Sequence, residues 1–180
     1  MAPSKSVEAA LSLIKTDNPS ILTLSIGPHK GITPGQEIPK ADAQAAPELA
    51  FSSTTSADSY MVIGLDLDAP FPSLTILSPI LHWIQPGLKP EPTADGPATL
   101  KAEGTPFVAN YIGPAPPPGS ATHRYLFMLH EQPAAFDGKR YAPAKGAKVN
   151  NWHRMRYDLG AFEKKARLGP VLAANYFCSK

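Results

Sequence analysis

Two periods of apolar spacing divide this chain. Near its start Val7, Leu11 and Ile14 recur at helical spacing, and Asp17-Asn18-Pro19 predicts the stop. Beyond that point the apolar runs are short and bounded by turn residues, which is the pattern of strands. Strands are predicted over Ile21 to Ser25, Ala46 to Phe51, Tyr60 to Asp68, Ile80 to Gln85, His123 to Glu131 and Val171 to Phe177. In the His123 segment, Tyr125, Phe127 and Leu129 share one face, and Arg124, Leu126 and Met128 share the other. A second helix is predicted from an Asp158 N-cap through Arg167, with Leu159, Phe162 and Ala166 inward and Gly169-Pro170 closing it. Between these elements lie a polar loop from Ser52 to Ser59, a turn at Pro34-Gly35 and a loop with apolar content from Phe71 to Pro79.

Proline sharpens the picture. There are 21 prolines and 13 glycines, too many breakers for a helical bundle, because proline removes a backbone donor and clashes with the preceding turn. They fall mostly between apolar runs, as punctuation. Pro86 to Pro106 is rich in proline, glycine and polar residues and reads as a flexible surface insertion. Gly113-Pro114-Ala115-Pro116-Pro117-Pro118-Gly119 reads as a stiff loop. At 180 residues and 43% hydrophobic, the chain suffices for one core and one domain, 1–180. The expected class is mainly β (α+β).

A formal charge of +2 with scattered basic residues lacks the dense basic face of a nucleic-acid binder. Glu163, Lys164, Lys165 and Arg167 read as the solvated side of the second helix. The single cysteine, Cys178, has no internal disulfide partner, which fits a reducing, cytoplasmic setting. Neither a signal-peptide core nor a membrane-spanning run is visible.

The candidate chemistry lies where the apolar strand Tyr60 to Leu67 ends in acids. Strand alternation puts Asp66 and Asp68 on one face, and two acids there are costly to bury unless paired. His82, His123, Arg124 and Tyr125 are the candidate partners. The parity of Arg124 opposes that of Tyr125, so it should point away from any pocket and pair with a carboxylate. On the residues alone two readings stand side by side: a polar pocket, or satisfied core histidines with aspartates capping turns. Two histidines and two aspartates could hold zinc with an open position, but they come from separate strands with no short ligand motif. No metal or cofactor is expected. Trp83 and Trp152 read as core or rim aromatics, and no partner is visible for His29, His130 or His153. A serine-hydrolase arrangement is not expected either: Gly-x-Ser-x-Gly is absent, and Ser120 has no identifiable base.

These segments resemble the phosphatidylethanolamine-binding protein family. The resemblance rests on Asp66-Leu67-Asp68-Ala69-Pro70, the His82 segment, Gly113-Pro114-Ala115-Pro116-Pro117 and His123-Arg124-Tyr125. It extends to Gly35-Gln36-Glu37-Ile38 and to the C-terminal Leu168-Gly169 and Asn175-Tyr176-Phe177. It implies a large antiparallel sheet packed on a smaller one, with peripheral helices and a small anion pocket at one end. By position Asp66, Asp68, Pro70, His82, His123 and Tyr125 correspond to pocket residues, with Gly113 and Ala115 in the opposing lip. Three departures stand out. Leu67 replaces the usual proline between the acids, Ala115 replaces the loop's second glycine, and Ile80-Leu81 precede His82 where many members carry an aromatic and another histidine. All three make the site more apolar.

The resemblance implies a binding module for a small anionic ligand (phosphate, a phospholipid head group or a carboxylate), with a protein partner as a further expectation. The alternative is an enzyme. One branch of the family is associated with coupling anhydride-bearing units in fungal polyketide pathways. There Asp66, His82 and His123 would supply acid–base chemistry, loop N–H groups would steady an oxyanion, and Phe71, Ile76, Leu77 and Ile80 would favour an alkyl-bearing substrate.

Overall fold

The computed structural model describes residues 4–15, 21–52 and 57–180. Helix α1 (Lys5–Lys15) opens it, with Ser4 Oγ accepting from the Val7 N–H at its first turn. Its predicted stop at Asp17-Asn18-Pro19 lies outside the described residues, as do residues 53–56 of the polar loop before Tyr60. Seven strands follow: β1 (Thr23–Ser25), β2 (Glu48–Phe51), β3 (Tyr60–Asp66), β4 (Ile80–Thr93), β5 (Gly96–Lys101), β6 (His123–Glu131) and β7 (Val171–Ser179). Helix α2 (Leu159–Ala166) precedes β7; Asp158 caps it, accepting from the Ala161 N–H at 2.9 Å. Its end falls on Arg167, in a left-handed conformation, two residues before the predicted Gly169-Pro170.

The strands hydrogen-bond in the order β1-β2-β5-β4-β3-β6-β7, and every adjacent pair is antiparallel. The first part of β4 lies on β3, and its last part lies on β5 instead. The sheet therefore folds over on β4 into two layers. Leu22, Leu24, Leu49, Phe51 and Leu100 on one layer meet Val62, Trp83, Phe127 and Phe177 on the other. A second core lies on the outer face of β3, β6 and β7, where Met61, Ile63, Leu126 and Met128 meet Val7 and Ala10 of α1 and Phe162 of α2. Those two faces carry the alternation read in β6. No helix among the described residues is long and apolar enough to cross a membrane.

The segment Pro86 to Pro106 differs from expectation. Rather than a flexible insertion, it supplies most of the β4–β5 hairpin, closed between Thr93 and Gly96. Composition misleads here because Pro90 and Pro92 fall where β4 has passed the end of β3, pairing with β5 alone, and Pro86 falls in a bulge. Such an edge position tolerates missing donors. Gly87, at φ 70°, lies in a bulge of the β3–β4 ladder just before its last pair, Tyr60 with Leu88, and its N–H donates to Gln132 Oε1 at 2.6 Å.

Candidate ligand-binding site

The end of β3 sets the site. Asp66 Oδ1 accepts from the Asp68 N–H at 2.8 Å, an Asx turn that stops the strand. Alternation therefore does not carry through to Asp68, and the two acids face opposite ways. Asp66 Oδ2 meets His123 Nδ1 at 2.8 Å. Asp68 grips Arg124 on the other face of β6, accepting from Nε at 2.8 Å, Nη2 at 2.7 Å and the backbone N–H at 2.8 Å. The Arg124 reading holds, and the shared face predicted for the two acids does not. Burial alone would raise the Asp68 pKa, but hydrogen bonds and charge from Arg124 hold it below the usual carboxylate value.

Around Asp66 and His123 opens a cavity of about 220 Å³, also lined by Pro70, Leu77, Ile80, His82, Gly113, Ala115, Arg154 and Met155. Six of the eight predicted ligand-binding residues line it. Asp68 does not, for the reason above. Tyr125 does not either: it is a floor beneath the wall, its ring stacked on His123 and edge-on to His82 at a 5.0 Å centroid distance. The Tyr125 hydroxyl is buried beside Asp66 and the Ala115 backbone without a good hydrogen bond, and burial pushes its pKa far up.

His82 is held by its backbone-side nitrogen, with Nδ1 2.8 Å from the Ile112 carbonyl. A carbonyl only accepts, so Nδ1 carries the proton and Nε2 is the ring's remaining polar atom. Burial lowers the His82 pKa, against a smaller upward pull from that carbonyl and from Asp66.

The opposing lip is tied down on both sides. The Tyr111 hydroxyl donates to Ala43 O at 2.9 Å, and Gln44 Nε2 donates to Pro114 O at 3.1 Å. Gly113 lies so close that a Cβ there would stand 2.6 Å from Gln44 Oε1. Ala115 is not among the positive-φ residues, so its methyl group carries no backbone strain and simply narrows the cavity. Leu67 has an equally plain role. Its N–H, which proline would lack, donates to Arg124 O at 3.1 Å and extends the β3–β6 pairing.

Sequence reasoning missed Arg154. It is fully buried, and its five N–H groups meet five uncharged acceptors: Val149 O, Leu81 O, His82 O, Asn110 O and Asn110 Oδ1, at 2.7 to 3.5 Å. A saturated guanidinium offers the cavity positive potential but no spare donor. No local motif announces it, since its partners are 5 to 73 residues away. His29 and His153 do find partners, in Asp42 and Asn150. The reading of Ser120 is also overturned: its Oγ stands 2.9 Å from His123 Nε2.

A larger groove, about 530 Å³, lies on the Arg124 side between α1 and the start of α2. Its charged groups are already engaged, Arg124 with Asp68 and Asp158 with the α2 cap. In the smaller cavity two imidazoles and a carboxylate converge. Among the described residues no group of three or more His, Cys, Asp or Glu is placed to hold a metal ion.

The family model for phosphatidylethanolamine-binding protein matches residues 28–177. The chain belongs to that family. A relative from Talaromyces stipitatus, phomoidride biosynthesis cluster protein N, is 31% identical over 157 residues, spanning 79% of this chain and 75% of the relative. The carboxypeptidase Y inhibitor in complex with its cognate proteinase superposes with a TM-score of 0.75 at 24% identity, covering 97% of this chain and 89% of the inhibitor. The Plasmodium vivax phosphatidylethanolamine-binding protein superposes with a TM-score of 0.62 at 16% identity, covering 98% and 93%. At those identities the two structures speak for the fold alone.

Proposed function

We propose that this family member binds a small anion, a phosphate or carboxylate group, in the cavity between His82 and His123. The observation that carries the reading is the convergence of both imidazoles with the buried Arg154 charge around one hollow. Asp66 spends its charge on His123 at 2.8 Å, so Arg154 gives the cavity a positive bias. An arriving anion would draw a proton onto His82 Nε2 and so gain a charge-assisted hydrogen bond. A phospholipid head group, a free phosphate and a carboxylate share this chemistry.

Calorimetric titration with inorganic phosphate tests it. Binding to the wild type is expected, and His123→Ala should weaken it at least about tenfold, because the buried Asp66 carboxylate would then face the anion unpaired. His82→Asn should weaken it as well. Unchanged affinity in both variants counts against the site.

A second reading has its own support. Asp66 orienting His123 is the geometry of a general base, and the Talaromyces relative bears the name of a biosynthetic cluster. On this reading His123 removes a proton alpha to the carbonyl of a polyketide anhydride and so promotes coupling. Product formation from anhydride precursors should exceed the buffer rate and fall in Asp66→Asn. Equal rates remove the idea.

A further inference from the structure

Ser120 was placed by turn chemistry. Its N–H donates to Pro117 O at 3.1 Å, with Pro118 and Gly119 at the corner and Gly119 at φ 79°, the conformation a type II turn requires. The turn delivers the Ser120 hydroxyl to His123 Nε2 at 2.9 Å, while His123 Nδ1 lies 2.8 Å from Asp66 Oδ2. His123 and Asp66 are 1% and 4% exposed, whereas Ser120 is only half-buried. Nucleophile, base and orienting carboxylate thus stand in contact, in order, with the nucleophile nearest solvent.

Tautomer logic fixes the direction. Asp66 is an acceptor, so Nδ1 carries the ring proton and Nε2 of the neutral ring is a lone pair. The Ser120 hydroxyl has one proton and two acceptors at 2.9 Å, His123 Nε2 and Ala121 O. It donates to Nε2 when the ring is neutral. When the ring is protonated, it accepts from Nε2 and turns its own proton to Ala121 O. The hydroxyl accommodates both states that a proton transfer requires.

We infer that Ser120 is a nucleophile for acyl transfer, with His123 as its general base and Asp66 as the positioning carboxylate. This inference goes beyond the anion-binding reading and does not depend on it. The class of substrate is an activated acyl group, an ester with a good leaving group or an anhydride, whose carbonyl is already electrophilic. In the first step the Oγ–carbonyl carbon bond forms as the Oγ proton passes to His123 Nε2. The tetrahedral adduct then collapses, the carbonyl–leaving-group bond breaks, and the leaving oxygen takes the proton from Nε2. Water, deprotonated by His123, adds to the acyl-serine, and the carboxylic acid departs as Ser120 recovers its proton.

The test uses the full chain with a fluorophosphonate probe and with 4-nitrophenyl acetate. The wild type should be labelled at Ser120, located by peptide mass spectrometry, and should release a stoichiometric burst of nitrophenolate. Ser120→Ala, confirmed as folded by circular dichroism, should lose both, and His123→Gln should slow labelling at least about 100-fold. Absence of label and burst in the wild type, or a label that persists in Ser120→Ala, overturns the inference. Phosphate titration of the wild type keeps the two readings apart: binding without labelling overturns only the nucleophile, and labelling without binding overturns only the anion site.

Discussion

Position 124 turns on a single residue's parity. His123 and Arg124 are neighbours on β6, so alternation sends one into the cavity and the other to the opposite face, and the two acids of the 66–68 turn divide between them. Arg124→Ala should destabilise the protein by about 1–3 kcal/mol at neutral pH. The Asp68 carboxylate would stay buried with only a backbone N–H, and the loss is moderated because Arg124 is partly exposed. The sign with pH is definite. Asp68 is depressed when folded, so the pair's contribution is present above the unfolded carboxylate value of ~3.9 and is lost as pH falls through the folded one. Urea melts of both proteins at pH 7 and pH 3 should show a gap that narrows in acid; an equal gap at both contradicts the pairing. The parity of Arg124 was legible in the sequence because alternation is a local rule. The split of Asp66 from Asp68 was not, since it depends on where β3 stops, and that is set by a side-chain bond back to the Asp68 N–H.

At the scale of elements, β4 decides the shape. Before β4 leaves β3 for β5, Pro86-Gly87 forms a bulge opposite Tyr60 to Val62 that bends the strand, with φ 70° at Gly87. A Cβ at that position would meet Thr105 Oγ1 at 2.4 Å and Thr105 Cγ2 at 2.6 Å. Gly87→Ala therefore combines a left-handed backbone cost with overpacking, and should lower stability by about 2–4 kcal/mol. Chemical denaturation measures it, and a loss under about 0.5 kcal/mol, the range of ordinary surface substitutions, would show that the bend does not need glycine. The short strands could be read from their own residues, because apolar runs bounded by turn residues are a local signal. The β4–β5 hairpin could not, because its prolines are tolerated only by virtue of an edge position that topology alone creates. Arg154 escaped for the same reason: Leu81, Asn110 and Val149 converge on it only after the chain has folded.

For the molecule as a whole, the cost of the cavity shows in its response to acid. His82 and His130 are both buried, and burial lowers the pKa of each, outweighing hydrogen bonds to the Ile112 and Gly169 carbonyls that pull the other way. In the unfolded chain each takes a proton near pH 6.5, whereas the folded protein resists until a lower pH. Stability is thus complete above about pH 6.5 and falls as pH drops towards the folded values, with a limiting slope of about 1.4 kcal/mol per pH unit for each histidine. The two histidines separate by location. His130 lies between β6 and the chain entering β7, away from the cavity, so His130→Gln should remove its share of the slope with or without ligand. His82 lines the cavity, and an anion bound there favours its protonated ring. Inorganic phosphate should therefore flatten only the His82 share, and it should stabilise His130→Gln more at pH 5.5 than at pH 7.5. Urea midpoints at those two pH values, with and without phosphate, decide the matter: a phosphate effect independent of pH would mean that the anion and the His82 proton do not meet.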